Sequence, residues 1–186
     1  PTEEEIPILA ERKVGVIHNP TSNMKIASGI APITEMLAAG VLVGLGTDGA
    51  ASNNDLDMWE EMRLASFLQK VDRMDPEVLP ATTVLSMATS GGATAIGLGD
   101  SIGSLEAGKQ ADLIQVAFED VHHVPTYDVI SHLVYVNDEQ DVASVVVDGK
   151  VLMKEREMLT IDTDRVRAEA TALAAQIQAA LEKRNQ

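Results

Sequence analysis

Short continuous apolar runs alternate with helically spaced apolar residues in the first half of the chain. The runs at residues 14–17 and 41–46 predict two buried parallel strands. Residues 31–39 have apolar positions at helical spacing, and a second apolar stripe after the second run continues to about residue 71. The order strand, helix, strand, helix predicts two βα units.

Helical periodicity also occurs outside these two units. It predicts helices at residues 2–13, 81–97, 127–136 and 162–186, unless the glycine pair at 91–92 ends the second of them. The last segment begins with acidic residues and ends with basic ones, which matches the polarity of a helix dipole. Helices therefore flank and follow the βα units.

The residue pattern changes beyond residue 98. Residues 111–116 and 143–147 are rich in β-branched residues, and Asp148-Gly149 predicts a tight hairpin turn. We therefore expect a small β-rich unit, joined to the first half of the chain around residues 98–111.

Polar groups follow both predicted parallel strands. Asp48 comes directly after the second strand, between Gly46 and Gly49, so its carboxylate can turn toward a pocket. Ser52 and Asn53 are placed to orient that loop or to contact a ligand. His18 follows the first strand and could be a ligand, a substrate contact or a structural histidine. We expect chemistry at this edge, with Asp48 as its first candidate.

Other charged side chains have simpler interpretations. Glu60 and Glu61 are expected on a solvated or ion-paired helix face. His122 and His123 are adjacent, so their side chains should diverge on an extended segment. His132 is expected to be solvated or satisfied in the core.

The overall charge narrows the choice of partners. The chain of 186 residues has 29 acidic and 14 basic residues, a formal charge of −15, which disfavours nucleic acid and membrane surfaces. It has no cysteine, so a metal must be bound by histidine and carboxylate. No apolar run approaches the about 20 residues that span a bilayer, and the acidic start does not resemble a signal peptide. We expect a soluble, cytoplasmic protein.

Seven short motifs are spread over most of the chain, from residue 18 to residue 150, and resemble those of a known family. In wording and order they resemble the amidohydrolase superfamily, and the first and third resemble its 5-methylthioadenosine/S-adenosylhomocysteine deaminase branch. The motifs are HNPTSN at 18–23, SGIAP at 28–32, GTDGAASNN at 46–54, EMRLA at 61–65, ATSGGA at 88–93, IGSLEAGKQADLI at 102–114 and VDGK at 147–150.

The resemblance implies the carboxy-terminal portion of a longer α/β enzyme. Residues 1–97 would hold the last two βα units of a metal-dependent (β/α)8 amidohydrolase barrel and the helix after them. Residues 98–161 would be the carboxy-terminal part of a small β-rich domain, and 162–186 a terminal helix. The resemblance also favours one continuous helix over residues 81–97. The missing amino-terminal part of the same enzyme would be a partner, and a homo-oligomer is expected.

For the site, the resemblance implies that Asp48 is a metal ligand, contacts the substrate and accepts a proton during catalysis. The cofactor would be one divalent ion, with zinc expected. The substrate would be a small adenosine-type nucleoside, hydrolysed to the inosine analogue and ammonia. His18, Ser52 and Asn53 would line the pocket or support it, and the resemblance does not make His18 a ligand. Because the other metal ligands belong to upstream strands, the 186-residue chain alone is expected to be inactive.

Two alternatives stay open. Guanine deaminases, cytosine deaminases and triazine chlorohydrolases share the implied architecture and the aspartate. A protein of another class, a non-catalytic assembly module, would use the acidic surface and the barrel edge only for association.

Overall fold

The order of elements in the first part of the chain is that of two βα units. The computed structural model describes residues 1–184. Its helices and strands are α1 (Ile6–Glu11), β1 (Gly15–His18), α2 (Pro20–Lys25), α3 (Ile33–Ala38), β2 (Leu42–Leu45), α4 (Met58–Arg73), α5 (Ala81–Ala88), α6 (Ser90–Ala95), β3 (Leu113–Val116), α7 (Val129–Tyr135), β4 (Val142–Val147), β5 (Lys150–Lys154), β6 (Glu157–Met158) and α8 (Thr163–Arg184).

Strands β1 and β2 are parallel and end level with each other. Their register pairs Gly15 with Leu42 and His18 with Leu45. The groups that follow both strands therefore emerge at one edge, as the two predicted βα units require. Among residues 1–184, each of these strands pairs only with the other, so each leaves one edge unpaired.

Helices cover one face of this strand pair at short range. A Cβ on Gly44 would lie 2.8 Å from the Cα of Gly92, and one on Gly15 would lie 1.8 Å from the carbonyl oxygen of Ala95. Only glycine lets α6 approach the strands so closely. The core beneath α3, α4 and α5 is built from buried apolar side chains: Ile33, Met36, Val41, Val43, Met62, Ala65, Val84 and Met87.

The predicted continuous helix over residues 81–97 is wrong. The chain breaks at Thr89, whose backbone angles are φ −127° and ψ −105°, and α5 and α6 are separate helices. The glycine pair packs against the carbonyl end of α5, since a Cβ on Gly91 or Gly92 would lie 2.9 Å or 2.7 Å from the carbonyl oxygen of Ser86 or Met87. The break lets α6 turn onto the strands.

The second half contains the predicted hairpin. Strands β3, β4, β5 and β6 form an antiparallel sheet in that order. Asp148 and Gly149 have φ values of 51° and 71° at the β4–β5 turn, the left-handed backbone that this turn type needs. The short strand β6 was not predicted.

Helices α7 and α8 differ in how they are covered. On α7, the Tyr135 ring stacks on Phe67 of α4 with centroids 5.5 Å apart. The predicted terminal helix forms as α8, and residues 185–186 of that prediction lie outside the described residues. The apolar face of α8, with Leu173, Ile177 and Leu181, is exposed. None of the helices described between residues 1 and 184 has the length and apolar character needed to cross a bilayer.

Candidate active site at the strand ends

Asp48 is held in an unusual backbone conformation just after β2. Its φ is +60°, in the left-handed region, which aspartate tolerates better than most residues. Its Oδ1 accepts the Gly49 N–H at 2.8 Å. Its Oδ2 accepts the hydroxyls of Ser22 at 2.8 Å and Ser52 at 2.6 Å. Asp48 is exposed to solvent, and these three hydrogen bonds fix the direction of its carboxylate.

These bonds also set the charge of Asp48. Hydrogen bonds from Ser52, Ser22 and the Gly49 N–H hold the pKa of Asp48 below its ordinary value, so the group is ionised near neutral pH. Oδ1 accepts one hydrogen bond and has a second lone pair free. An ionised, oriented carboxylate with a free lone pair suits a divalent cation such as zinc.

Ser52 and Asn53 occupy different layers of the site. Ser52 contacts Asp48 directly, whereas Asn53 is buried behind the loop. The Asn53 amide donates to the carbonyl oxygen of Thr47 at 2.9 Å and to Glu61 Oε1 at 2.7 Å. Asn53 therefore supports the residue just before Asp48 and makes no hydrogen bond to Asp48 itself.

Glu61 joins α2 to the loop after β2, and its predicted place on a solvated helix face is wrong. The side chain is fully buried. Its Oε2 accepts the Thr21 N–H at 3.1 Å from the start of α2, while Oε1 accepts from Asn53 in the loop after β2. Burial raises the pKa of Glu61, although these hydrogen bonds act in the opposite direction. Its spacing, four residues before buried Ala65, was the sequence signal for burial.

His18 is buried at the end of β1 and is isolated. Both ring nitrogens lack a hydrogen-bond partner among the described residues. Burial lowers the pKa of His18 to about 4, so the ring is neutral near pH 7. The structure does not bond it to Asp48. Ser22, which does bond to Asp48, was missed, because nothing in the sequence pairs residues 26 positions apart.

The prediction that His122 and His123 diverge is wrong. Both lie in a short 3₁₀ turn, Val121–His123, and their ring centroids are 3.9 Å apart. Both rings approach Asp141, which is buried with His123. The tight turn replaces the extended backbone that would have separated the side chains. His132 is half-buried, with its ring 6.2 Å from that of Phe118.

The sequence and the structure match known proteins over most of the chain. The profile described as "Amidohydrolase family" matches residues 1–152. The 5-methylthioadenosine/S-adenosylhomocysteine deaminase of Desulforudis audaxviator (strain MP104C) is 57% identical over 173 residues, which are 92% of this chain and 40% of that protein. The chain therefore spans about 40% of the length of the curated relatives that it matches.

Solved structures also match the fold of this chain. An adenosine deaminase from Xanthomonas campestris with bound zinc has a TM-score of 0.93 and 44% identity, covering 96% of this chain and 41% of that one. Atrazine chlorohydrolase from Arthrobacter aurescens TC1 complexed with zinc has a TM-score of 0.85 and 34% identity, covering 93% of this chain and 38% of that one.

Proposed function

Because the chain belongs to the amidohydrolase family, we propose that it is part of a metal-dependent hydrolytic deaminase acting on adenosine-type nucleosides. The substrates would be 5-methylthioadenosine and S-adenosylhomocysteine, converted to their inosine analogues with release of ammonia. The name of the Desulforudis audaxviator relative supports this choice, and so do its 57% identity and the motifs around His18 and Asp48.

The observation that carries the proposal is the oriented, ionised carboxylate of Asp48 beyond β2. Asp48 would hold a divalent ion, and zinc is favoured because the two zinc-bound structures match this fold. When bound, such an ion lowers the pKa of water to near neutrality. Asp48 would take a proton from the water that attacks C6 of the adenine ring and return it to the departing ammonia.

The network behind Asp48 would keep this geometry rigid. Ser22 in α2 and Ser52 in the loop after β2 would fix the carboxylate, and Glu61 ties α2 to that loop through Thr21 and Asn53. Neutral His18 would line the pocket or support it. Its buried, unpartnered nitrogens are a reason to expect a contact with residues or substrate outside this chain.

The site needs further ligands. Among residues 1–184, Asp48 belongs to no group of three or more histidine, aspartate or glutamate side chains close enough to hold one ion. We propose that an amino-terminal part of the same enzyme supplies them, and that residues 1–186 alone lack deaminase activity. The open edges of β1 and β2 would pair with strands of that part. A cytoplasmic location and a homo-oligomer stay predictions.

The boundaries of the structural units are also a proposal. Residues 1–97 would belong to the barrel, 98–161 to the small β-rich domain, and 162–186 would form a separate terminal helix. Limited proteolysis of the intact protein should cut first near residues 98–111 and 159–162, where exposed loops join these units. Early cleavage inside α4 would contradict this division.

One alternative substrate has specific support. The atrazine chlorohydrolase match shows that the same fold occurs with a triazine substrate class, although its 34% identity is lower than the 57% of the deaminase relative. A panel assay on the intact protein separates the candidates. Ammonia release from 5-methylthioadenosine and S-adenosylhomocysteine is expected, with little turnover of guanine, cytosine or atrazine. Faster turnover of any of these three would replace the proposed substrate, and no turnover after zinc loading would favour the assembly module.

A further inference from the structure

A second group of metal-ligand side chains lies far along the chain from Asp48, where the 3₁₀ turn Val121–His123 meets Asp141 just before β4. His122 Nε2 lies 3.3 Å from Asp141 Oδ1, and His123 Nε2 lies 3.3 Å from Asp141 Oδ2. One ligand atom from each of the three residues lies within 4.8 Å of the others. Two donors bound tetrahedrally to one zinc ion at about 2.0–2.1 Å lie about 3.3 Å apart. The spacing of the donors is therefore close to that of a bound site.

The three donors are prepared by their surroundings. Asp141 is buried, and its carboxylate accepts hydrogen bonds from the Asp138 N–H and from the Asn137 side-chain amide. Both of these hydrogen bonds go to Oδ2, at 3.1 Å from Asp138 and 2.9 Å from Asn137, whereas His122 Nε2 lies near both oxygens, 3.3 Å from Oδ1 and 3.4 Å from Oδ2. The carboxylate is thus oriented and supported from behind.

His123 is also held for coordination. It is buried and stacked on Phe118, with ring centroids 4.9 Å apart. Its Nε2 lies 2.8 Å from the Asn137 amide nitrogen, so this nitrogen acts as an acceptor and carries its lone pair toward the cluster. The Oδ1 of Asn137 is buried without a partner among the described residues. An ion at His123 Nε2 would replace the Asn137 amide hydrogen as its partner.

The cluster is open to solvent on one side. His122 has 46% of its side chain exposed and lines a cavity of about 460 Å³ with Asp141. Three further carboxylates, from Asp120, Asp138 and Glu139, line the same cavity against one basic residue, Arg156. The negative lining favours entry of a cation.

We propose that His122, His123 and Asp141 form a second site for a divalent transition-metal ion, of which Zn²⁺ is the best match. Two imidazole nitrogens and one carboxylate oxygen favour zinc over Mg²⁺ or Ca²⁺, which prefer oxygen ligands. Three protein ligands leave the fourth position to water in the cavity. A bound ion would tie the 3₁₀ turn to the segment before β4. The site shares no residue with that of Asp48, so it does not depend on the proposed deaminase activity.

The test counts zinc ions in the intact protein. Metal-stripped protein is equilibrated with ZnCl₂ at a buffered free concentration, and bound zinc is measured by elemental analysis. Wild type should bind one equivalent more than His122→Ala, whose exposed side chain can be removed with little effect on folding. In a competition titration with a chelating dye, the affinity of this extra ion should fall at least about tenfold in His122→Ala.

Two controls decide the result. Asp120→Asn removes a carboxylate from the same cavity but from none of the three ligands, and it should keep the extra zinc ion. Circular dichroism verifies that each variant is folded. Equal zinc content in wild type and His122→Ala would overturn the proposal. Equal zinc loss in Asp120→Asn and His122→Ala would also overturn it, because the cavity would then only attract cations by its charge.

Discussion

The strand-end site and the His122–His123–Asp141 cluster each contain a carboxylate and a buried histidine, but only the cluster brings the two into contact. At the strand ends, Asp48 is exposed and His18 is buried without a hydrogen-bond partner. In the cluster, Asp141 and His123 are both buried and lie 3.3 Å apart. The cluster thus assembles its donors from one stretch of about twenty residues, whereas Asp48 needs ligands from elsewhere. The donors that lie together in this chain are therefore not the ones that the family resemblance implies.

The largest expected effect tests Asp48 itself. Asp48→Asn in the intact protein should lower kcat/KM for 5-methylthioadenosine at least about a thousandfold, because the amide neither balances a metal charge nor accepts a proton. The measurement is ammonia release under matched zinc loading. Asp55→Asn, an exposed acid on the same loop, serves as the control and should retain activity. Activity of Asp48→Asn within tenfold of wild type would remove Asp48 from the mechanism.

The isolation of His18 predicts a pH-dependent stability. The folded pKa of about 4 lies below the unfolded value of 6.5, so the unfolded state binds the proton more readily between these values. The contribution of His18 is present above pH 6.5, and up to about 3 kcal/mol is lost as the pH falls toward 4. Urea unfolding at a series of pH values measures this slope.

His18→Gln, which removes the titrating ring, should flatten that slope. An unchanged slope in His18→Gln would mean that burial does not hold the pKa of His18 below 6.5. That outcome would weaken the contrast between the two regions.

A substitution at Glu61 tests how α2 is joined to the loop after β2. Glu61→Gln keeps the side-chain size but sets an amide N–H₂ against either the Thr21 N–H or the Asn53 amide, both of which are donors. We expect the free energy of unfolding to fall by about 2 kcal/mol. Turnover should fall with it, with kcat more affected than KM. Glu60→Gln on the same helix is the control, and equal effects of the two variants would contradict a specific role for Glu61.

The smallest effect concerns the Ser52 hydroxyl, which donates to the Asp48 carboxylate. Ser52→Ala removes the 2.6 Å hydrogen bond that lowers the pKa of Asp48, so this pKa should rise. The acid limb of the kcat/KM profile should then move to higher pH, and kcat/KM near neutrality should fall about fivefold. Ser28→Ala, in the loop after α2, should leave the profile unchanged. A shift of the acid limb to lower pH would contradict the hydrogen-bond geometry.

Local periodicity sufficed for most elements. The two apolar runs, the helical stripes and the Asp148-Gly149 turn appear in the structure as β1, β2, their helices and the β4–β5 hairpin. Each of these features depends on residues only a few positions apart, so the local sequence is enough to predict it. The break at Thr89 depends on how Gly91 and Gly92 pack against the end of α5 and how Gly92 approaches Gly44, and no local pattern encodes these contacts.

Asp48 and Ser52 were predicted as site residues from the sequence because a strand end and a family motif both point to them, and in the structure Ser52 donates to Asp48. The sequence alone also determined the net charge, the absence of cysteine and hence the kinds of metal ligand available. Tertiary structure alone decided that Ser22 donates to Asp48, 26 residues away. It also decided that Glu61 is buried between α2 and the loop after β2, and that His122 and His123 converge on Asp141. Each of these contacts joins segments separated along the chain or depends on a tight turn, so its energy comes from burial and hydrogen bonding that exist only after the segments pack together.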